Sequence, residues 1–287
     1  MSTPNVTAFF DEATNTVTYV VADPDSNKCV VIDPVLDYNA AAGRTSTESV
    51  TAVIDFIKQE NLSLEWILET HVHADHLSGA PVLKSETNAK TAVGSNITAV
   101  QSVFKDIFNL QDLSTDGSQF DQLFNDGDDF QIGEISGRVM HTPGHTPACL
   151  TYVIGDAAFV GDTLFMPDFG TARCDFPGGD AGTLYDSIQE ILALPDDTRL
   201  FMCHDYKAPG RDEFAWETSV SEQREKNIHI HEGTTREQFT EFRNGRDANL
   251  GMPKLIIPSI QMNIRAGEDP APEENGVRYL KVPLNQL

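Results

Sequence analysis

The sequence predicts an α+β fold in which two β-sheets pack face to face with helices on their outer surfaces. Three observations predict it. β-branched and aromatic runs alternate with amphipathic stretches of helical period in two similar halves. In both halves, histidine-bearing loops follow directly on apolar strands. The composition, 40% hydrophobic and 22% charged over 287 residues, is that of a globular chain able to bury a sizeable core. A single domain over 1–287, with a helical and irregular C-terminal extension from about residue 214, is the expected organisation.

The first half opens on strands. Residues 17–21 and 29–32 are β-branched runs joined by Asp23, Pro24, Asp25, Ser26 and Asn27. That connector is rich in turn formers, so an antiparallel hairpin is expected. An amphipathic helix runs from Thr47 and Glu48 to Glu60, because Val50, Val53, Ile54 and Ile57 recur at helical spacing. Trp66, Ile67 and Leu68 form a short apolar strand leading straight into Thr70-His71-Val72-His73-Ala74-Asp75-His76. A helix to about residue 86 and a strand near 91–93 follow.

In the second half, 96–108 reads as helix, and 110–129, rich in Asp, Gly and Ser, reads as loop. Strands are expected at 135–140, 150–154 and 157–160, the last two joined by a Gly155-Asp156 turn. A helix over 183–194 ends at Pro195, and 200–203 is the last clear core strand. Residues 214–227 and 236–244 read as helices. The tail from 251 is rich in Pro and Gly, with few periodic segments.

Charge narrows the partners. There are 44 Asp+Glu against 20 Lys+Arg, a net charge of −24. A duplex nucleic acid or an anionic membrane would be repelled, so neither is expected. There is no apolar run of about 18 residues, so no transmembrane helix is expected. The start, Met-Ser-Thr-Pro-Asn-Val, has no basic or apolar segment, so no secretory signal is expected either. The four cysteines, Cys29, Cys149, Cys174 and Cys203, are scattered without a C-x-x-C pair. They suit a reducing, cytoplasmic setting better than a disulfide scaffold.

The histidines carry the chemistry. One loop gives His71, His73, Asp75 and His76; a second is His141-Thr142-Pro143-Gly144-His145; a third is Cys203-His204-Asp205. Gly161-Asp162-Thr163 also follows an apolar strand. A lone loop histidine is ordinary, but three of them crowded beside an aspartate would be costly without a metal. Strand-end loops converge on one sheet edge, so His71, His73, Asp75, His76, His145, Asp162 and His204 could meet in one cleft. Imidazole and carboxylate suit zinc, iron or manganese, and the lack of a cysteine pair argues against a structural zinc ribbon.

His71-Val72-His73-Ala74-Asp75-His76, with His145, Asp162 and His204 downstream, resembles the metallo-β-lactamase superfamily over nearly the whole chain. The resemblance implies an αββα sandwich (the metallo-β-lactamase fold) with metal at one sheet edge. Thr70 to Gly79, the loop Asp168-Phe169-Gly170-Thr171-Ala172-Arg173-Cys174-Asp175-Phe176-Pro177-Gly178-Gly179, and His204-Asp205-Tyr206 resemble the glyoxalase II and persulfide dioxygenase (ETHE-like) branch. Arg224 and Met262-Asn263-Ile264-Arg265 fit the same branch, whereas Cys174 and Pro177 depart from its better-known form and suggest a bacterial subtype.

That resemblance implies oxidation of a glutathione-type persulfide by O2 to sulfite and thiol. One Fe(II) per chain would be held by the catalytic residues His71, His145 and Asp162, with His73, Asp75, His76 and His204 orienting ligands and supplying protons. It also implies a homodimer. The alternative is a dinuclear zinc hydroxyacylglutathione hydrolase of the glyoxalase II kind. There His71, His73 and His145 would hold one zinc, Asp75, His76 and His204 the other, and Asp162 would bridge. All seven ligand types are present, so counting does not separate the two. A non-enzymatic binding role is disfavoured by intact ligands in every loop.

Glutathione carries two carboxylates, so a chain this acidic must focus positive charge to hold it. Arg173, Lys207, Arg211, Arg224 and Lys226 gather after the metal loops. Arg173 is the expected carboxylate clamp, with an ion pair to Asp175 or Asp180 as the alternative. Tyr206 is expected to donate a hydrogen bond to substrate, or else to pack at the rim. Cys174 and Cys203 read as packed residues, His229 and His231 as surface, and His141 as a cleft-lining non-ligand. No dinucleotide fingerprint appears.

Overall fold

The structure, a computed structural model, describes residues 3–286; the first two residues of the N-terminal segment considered above lie outside it. The first half contains β1 (Asn5–Asp11), β2 (Thr16–Ala22), β3 (Lys28–Ile32), β4 (Val35–Asn39) and β5 (Arg44–Ser46), then α1 (Glu48–Gln59) and β6 (Ser63–Leu68). It continues through β7 (Leu77–Ser78), α2 (Ala80–Thr87), β8 (Lys90–Gly94), α3 (Ile97–Phe108) and β9 (Gln122–Phe124). The second half contains β10 (Asp129–Ile132), β11 (Ile135–His141), β12 (Leu150–Ile154), β13 (Ala157–Phe159), α4 (Ala181–Leu192) and β14 (Arg199–Phe201). It ends with β15 (Glu217–Ser219), α5 (Val220–Lys226), α6 (Arg236–Asp247) and α7 (Ile256–Asn263).

One sheet has the order β1-β2-β3-β6-β8-β9, the other β10-β11-β12-β13-β14-β15, and β5-β4-β7 make a small third sheet. The expected hairpin is β2 against β3, antiparallel, with Tyr19 opposite Ile32. Period-two alternation explains why both strands read as unbroken apolar runs. Val17, Tyr19, Val21, Val30 and Ile32 face the other sheet, where they meet Tyr152, Phe159 and Phe201. Val20, Cys29 and Val31 face outward onto Val50, Val53 and Ile57 of α1. The second sheet does the same, with Ala158 and Leu200 packed under Leu184, Ile188 and Ile191 of α4 and Phe239 of α6. The layers are therefore helix, sheet, sheet, helix. No helix among the described residues is long and apolar enough to cross a membrane.

Parallel pairing sets where the loops emerge. Ile32 lies beside Leu68 in parallel strands β3 and β6, so Asp33 and the His71 loop leave the first sheet at one edge. Phe159 lies beside Phe201 in parallel strands β13 and β14, which brings the Asp162 and His204 loops out together.

Several expectations are corrected. Residues 214–227 are not one helix: 217–219 pair with β14, and Ser219 then caps α5 by accepting from the Glu222 amide. The span 110–129 is mostly irregular but contains β9, added in parallel to β8. The tail from 251 contains α7, whose Ile256, Ile260 and Met262 are buried. β1, only partly buried, pairs with β2 and lays Val6, Ala8 and Phe10 on the core between the sheets, an alternation the sequence reading did not take up.

Candidate metal centre

His71, His73, Asp75 and His76 lie in the irregular turn between β6 and β7. Asp33 reaches beneath this turn. It accepts from the Thr70 amide (2.7 Å), the Thr70 hydroxyl (2.8 Å) and His73 Nε2 (2.9 Å). These bonds assign ring protons. The Thr70 hydroxyl spends its proton on Asp33, so its oxygen accepts from His71 Nδ1 at 3.0 Å and His71 Nε2 is left bare. On the other sheet, His145 Nδ1 donates to the Arg173 carbonyl at 2.7 Å, again leaving Nε2 bare. A bare nitrogen on a ring fixed through its other nitrogen is what a metal ligand must offer. Gly144 helps aim His145: its φ is +136°, and a Cβ there would lie 2.4 Å from the Leu184 backbone in the first turn of α4.

The donors of His71, His145 and Asp162 lie within 4.8 Å of one another. Asp162 Oδ2 is 4.0 Å from His71 Nε2 and 3.8 Å from His145 Nε2. Both gaps are too long for hydrogen bonds. Ligands each roughly 2.0–2.2 Å from one ion would themselves lie roughly 3–4 Å apart. Burial, with His73 beside it, holds His71 well below the usual imidazole range, so its ring is neutral. Burial opposes ionisation of Asp162, yet His204 beside it holds its carboxyl well below the usual carboxylate range.

The other candidates surround this trio. His204 Nε2 sits 3.1 Å from Asp162 Oδ1 and 3.2 Å from Asp75 Oδ2, without hydrogen-bond alignment. Burial works to lower its pKa, but the two carboxylates raise it to about 10. Burial likewise opposes protonation of His73, yet Asp33 and Glu69 raise it to about 9. Asp75 is held low by His204 and His76 against its burial.

His73 Nδ1, Asp75 Oδ2, His76 Nε2, Asp162 Oδ1 and His204 Nε2 are buried with no hydrogen-bond partner among the described residues. Each such atom costs about 1–3 kcal/mol. Five of them in converging loops, all nitrogen or carboxylate oxygen, fit a bound cation of the zinc or iron type.

A cleft of about 1120 Å³ opens over the site. His71, Asp75, His145 and Asp162 line it, together with Phe165, Phe169, Phe176 and Tyr206; His73, His76 and His204 do not. Tyr206 is 41% exposed as a residue, its ring stacked on His204 at 5.8 Å and 5.2 Å from Phe169.

Arg173 lines the cleft with three of its five N–H groups already engaged. Asp175 takes two bonds of 2.6 Å, and the Gly251 carbonyl takes a third of 2.7 Å. The other basic residues singled out in the sequence are also engaged. Arg211 holds Asp168 and Asp205, Arg224 holds Asp196 and the Leu192 carbonyl, Lys226 holds Glu222, and Lys207 lies over Phe214. The sequence reading missed Arg44, Arg246 and Lys254, which stand on the cleft wall without an ion pair among the described residues.

Other placements are plain. His229 is half-buried rather than on the surface, with Nδ1 accepting from the Thr171 amide at 3.0 Å. His231 is exposed, and His141 is tied to Asn96 and the Pro147 carbonyl outside the cleft. All four cysteines are buried and free; burial pushes the Cys174 and Cys203 thiols well up, so both are packed and unreactive.

Asp33, Glu69, Arg243 and Asp247 were also missed. Asp33 had one legible signal, its position directly after a β-branched strand like the ligands themselves. Asn263, within a segment the sequence did single out, donates to the His73 and His76 carbonyls at 2.9 and 2.8 Å and accepts from the Ser78 amide at 2.9 Å.

Residues 12–204 match the Metallo-beta-lactamase superfamily. A beta-lactamase hydrolase-like protein of Xylella fastidiosa is 52% identical over 287 residues, covering 100% of this chain and 66% of that protein. The chain thus spans just under two thirds of that relative. Glyoxylase B2 of Dictyostelium discoideum is 51% identical over 93% of this chain and 92% of its own length. The mitochondrial persulfide dioxygenase ETHE1 of Homo sapiens is 32% identical over 90% of this chain and 87% of its own length. The crystal structure of ETHE1 from Myxococcus xanthus matches with a TM-score of 0.74 at 30% identity, covering 92% of this chain and 100% of that one. The histidine loops, the layered sheets and these likenesses lead to one conclusion: the chain belongs to the metallo-beta-lactamase superfamily.

Proposed function

We propose that the chain oxidises a glutathione-type persulfide with O2, at one Fe(II) held by His71, His145 and Asp162. The observation that carries this reading is the cleft's opening onto those three residues and Asp75, with His73, His76 and His204 closed off from it. Two imidazoles and one carboxylate leave a ferrous ion with a net +1 charge and open positions. Bound iron would supply the one-electron chemistry that lets dioxygen react with a sulfur nucleophile.

The reaction balances with one water. Both atoms of dioxygen and the water oxygen end on the terminal sulfur, which is oxidised to sulfite as the S–S bond breaks. The inner sulfur leaves as thiol, and dioxygen is the species reduced. The chain's own residues bind and orient. Phe165, Phe169 and Phe176 keep water from the reacting sulfur, and Tyr206 offers its hydroxyl to the substrate from the wall. Arg173 has three of its five N–H groups occupied, so two remain for a substrate carboxylate. The buried free thiols suit a reducing, cytoplasmic setting.

A dinuclear zinc thioester hydrolase is the second reading. It is favoured by the partnerless His76 Nε2, His204 Nε2 and Asp75 Oδ2, a donor set suited to a second ion, with the partnerless His73 Nδ1 left for the first. Anaerobic purification, metal analysis and oxygen uptake with glutathione persulfide separate the two. About one iron per chain with rapid uptake is expected. Two zinc ions, with cleavage of a hydroxyacylglutathione and no oxygen uptake, would overturn the first reading. Asp162→Ala is expected to lose metal and activity together; a metal-loaded, active variant would remove Asp162 from the ligand set.

A further inference from the structure

His145 owes its bare Nε2 to a single atom, the Arg173 carbonyl. That carbonyl lies in the irregular loop between Asp162 and α4, so the loop needs an anchor. The same peptide unit presents the Cys174 amide on its opposite side, and Asp247 Oδ2 of α6 accepts from that amide at 2.7 Å. One planar trans peptide therefore has a buried carboxylate on its N–H and a metal-facing histidine on its C=O. Arg243 fixes the carboxylate with bonds of 2.9 and 2.6 Å to Asp247 Oδ1 and donates to the Thr171 carbonyl at 3.0 Å. The helix thus grips the loop on both sides of Arg173. Arg243 is 1% exposed and Asp247 4%, so water does not compete.

We propose that Asp247, held by Arg243, is a positioning residue that orients and polarises His145 through the one peptide joining Arg173 to Cys174. A carboxylate on the N–H withdraws the amide proton and makes the carbonyl a stronger acceptor, because hydrogen bonds in series polarise one another. The stronger acceptor draws on the His145 Nδ1 proton and makes Nε2 a better donor to a metal. Outer carboxylates that touch a ligating histidine directly act in this way; here a peptide intervenes. The proposal rests on the reading of His145 as a ligand.

The test uses Co(II) as a spectroscopic probe in the full chain, with affinity measured against a chromophoric chelator. Asp247→Asn is expected to weaken Co(II) binding about tenfold or more and to shift its visible d–d bands. Asp247→Glu, which keeps the charge but displaces it, covers the case in which the first variant does not fold; it is expected to show the same shift with a smaller loss. Arg236→Ala, on the same helix but paired with exposed Asp186, is expected to leave both readouts unchanged. A fall in Tm with unaltered affinity and bands would make Asp247 purely structural and overturn the proposal. If His145→Ala also binds Co(II) as wild type does, the ligand reading fails with it. If His145→Ala loses Co(II) while the Asp247 variants do not, only the relay fails.

Discussion

His73 and His145 come to the same centre from loops of different sheets, and their outer nitrogens are held in different ways. His73 Nε2 meets a carboxylate directly, on Asp33 at the end of a neighbouring strand of its own sheet. His145 Nδ1 meets a neutral peptide carbonyl, and the carboxylate behind that peptide comes from α6. The first loop is therefore ordered by buried charge supplied where strands end. The second borrows its order from a helix beyond the matched residues 12–204. The C-terminal region is part of the site's construction, not an appendage to it.

Asp33→Ala attacks the first arrangement and carries the largest expected effect. It strips the Thr70 amide, the Thr70 hydroxyl and His73 of their shared acceptor and leaves a buried imidazole with Glu69 as its nearest remaining carboxylate. Removing one member of a buried charged pair costs about 3–5 kcal/mol. Urea unfolding reads this directly; a loss under about 1 kcal/mol would show that the first loop does not depend on Asp33.

The same contrast explains what the sequence could reveal. The hairpin, the core strands and the strand-end histidines were legible because each announces itself within a few residues, through alternation or a dense H-x-H-x-D-H pattern. The pieces that came from afar were not. α7 is eight residues long and stays in place by packing Ile256 and Ile260, with Ile264 just past its end, in one cluster with Phe104 and Phe108 of α3, which local periodicity cannot show. Arg243 and Asp247 stand four residues apart on a polar helix, the spacing of an ordinary solvent-exposed pair, and only tertiary packing buries them. The 217–219 strand was hidden because pairing with β14 overrides helix propensity across three residues. The basic residues after the metal loops were visible, and Asp175 was one of the two partners offered for Arg173, but Asp168 and Asp196 lie too far along the chain from Arg211 and Arg224 to be assigned from sequence.

Asn263→Ala sharpens the comparison from the C-terminal side, since α7 also reaches the first loop. It leaves the His73 and His76 carbonyls and the Ser78 amide unpaired. A loss of about 1–3 kcal/mol is expected, seen as a lower Tm together with faster exchange of the Ser78 amide. Unchanged exchange there would mean that the first loop holds itself without α7. Arg173→Ala tests the second loop at its exposed edge. KM for the persulfide is expected to rise several-fold while metal content stays constant, as loss of ground-state binding requires. A fall in metal content instead would place Arg173 with the loop's scaffold.

The smallest effect is a pH dependence confined to the second loop. His229 accepts from the Thr171 amide, at the far end of the stretch gripped by α6. Burial lowers its pKa to about 4, and Arg243 and Arg246 add to the effect. An unfolded histidine titrates near about 6.5. Between those values the unfolded chain binds the extra proton, so stability rises with pH across the window: it is complete above about 6.5 and is lost as pH falls toward 4. The ring is partly exposed and solvent screens it, so the loss from pH 7 to pH 5 is expected to be under about 1 kcal/mol. His229→Gln keeps an acceptor for the Thr171 amide but cannot titrate. Its Tm should therefore fall less than that of the wild-type chain between those two pH values, and parallel falls would show that His229 does not enter the fold as the neutral form.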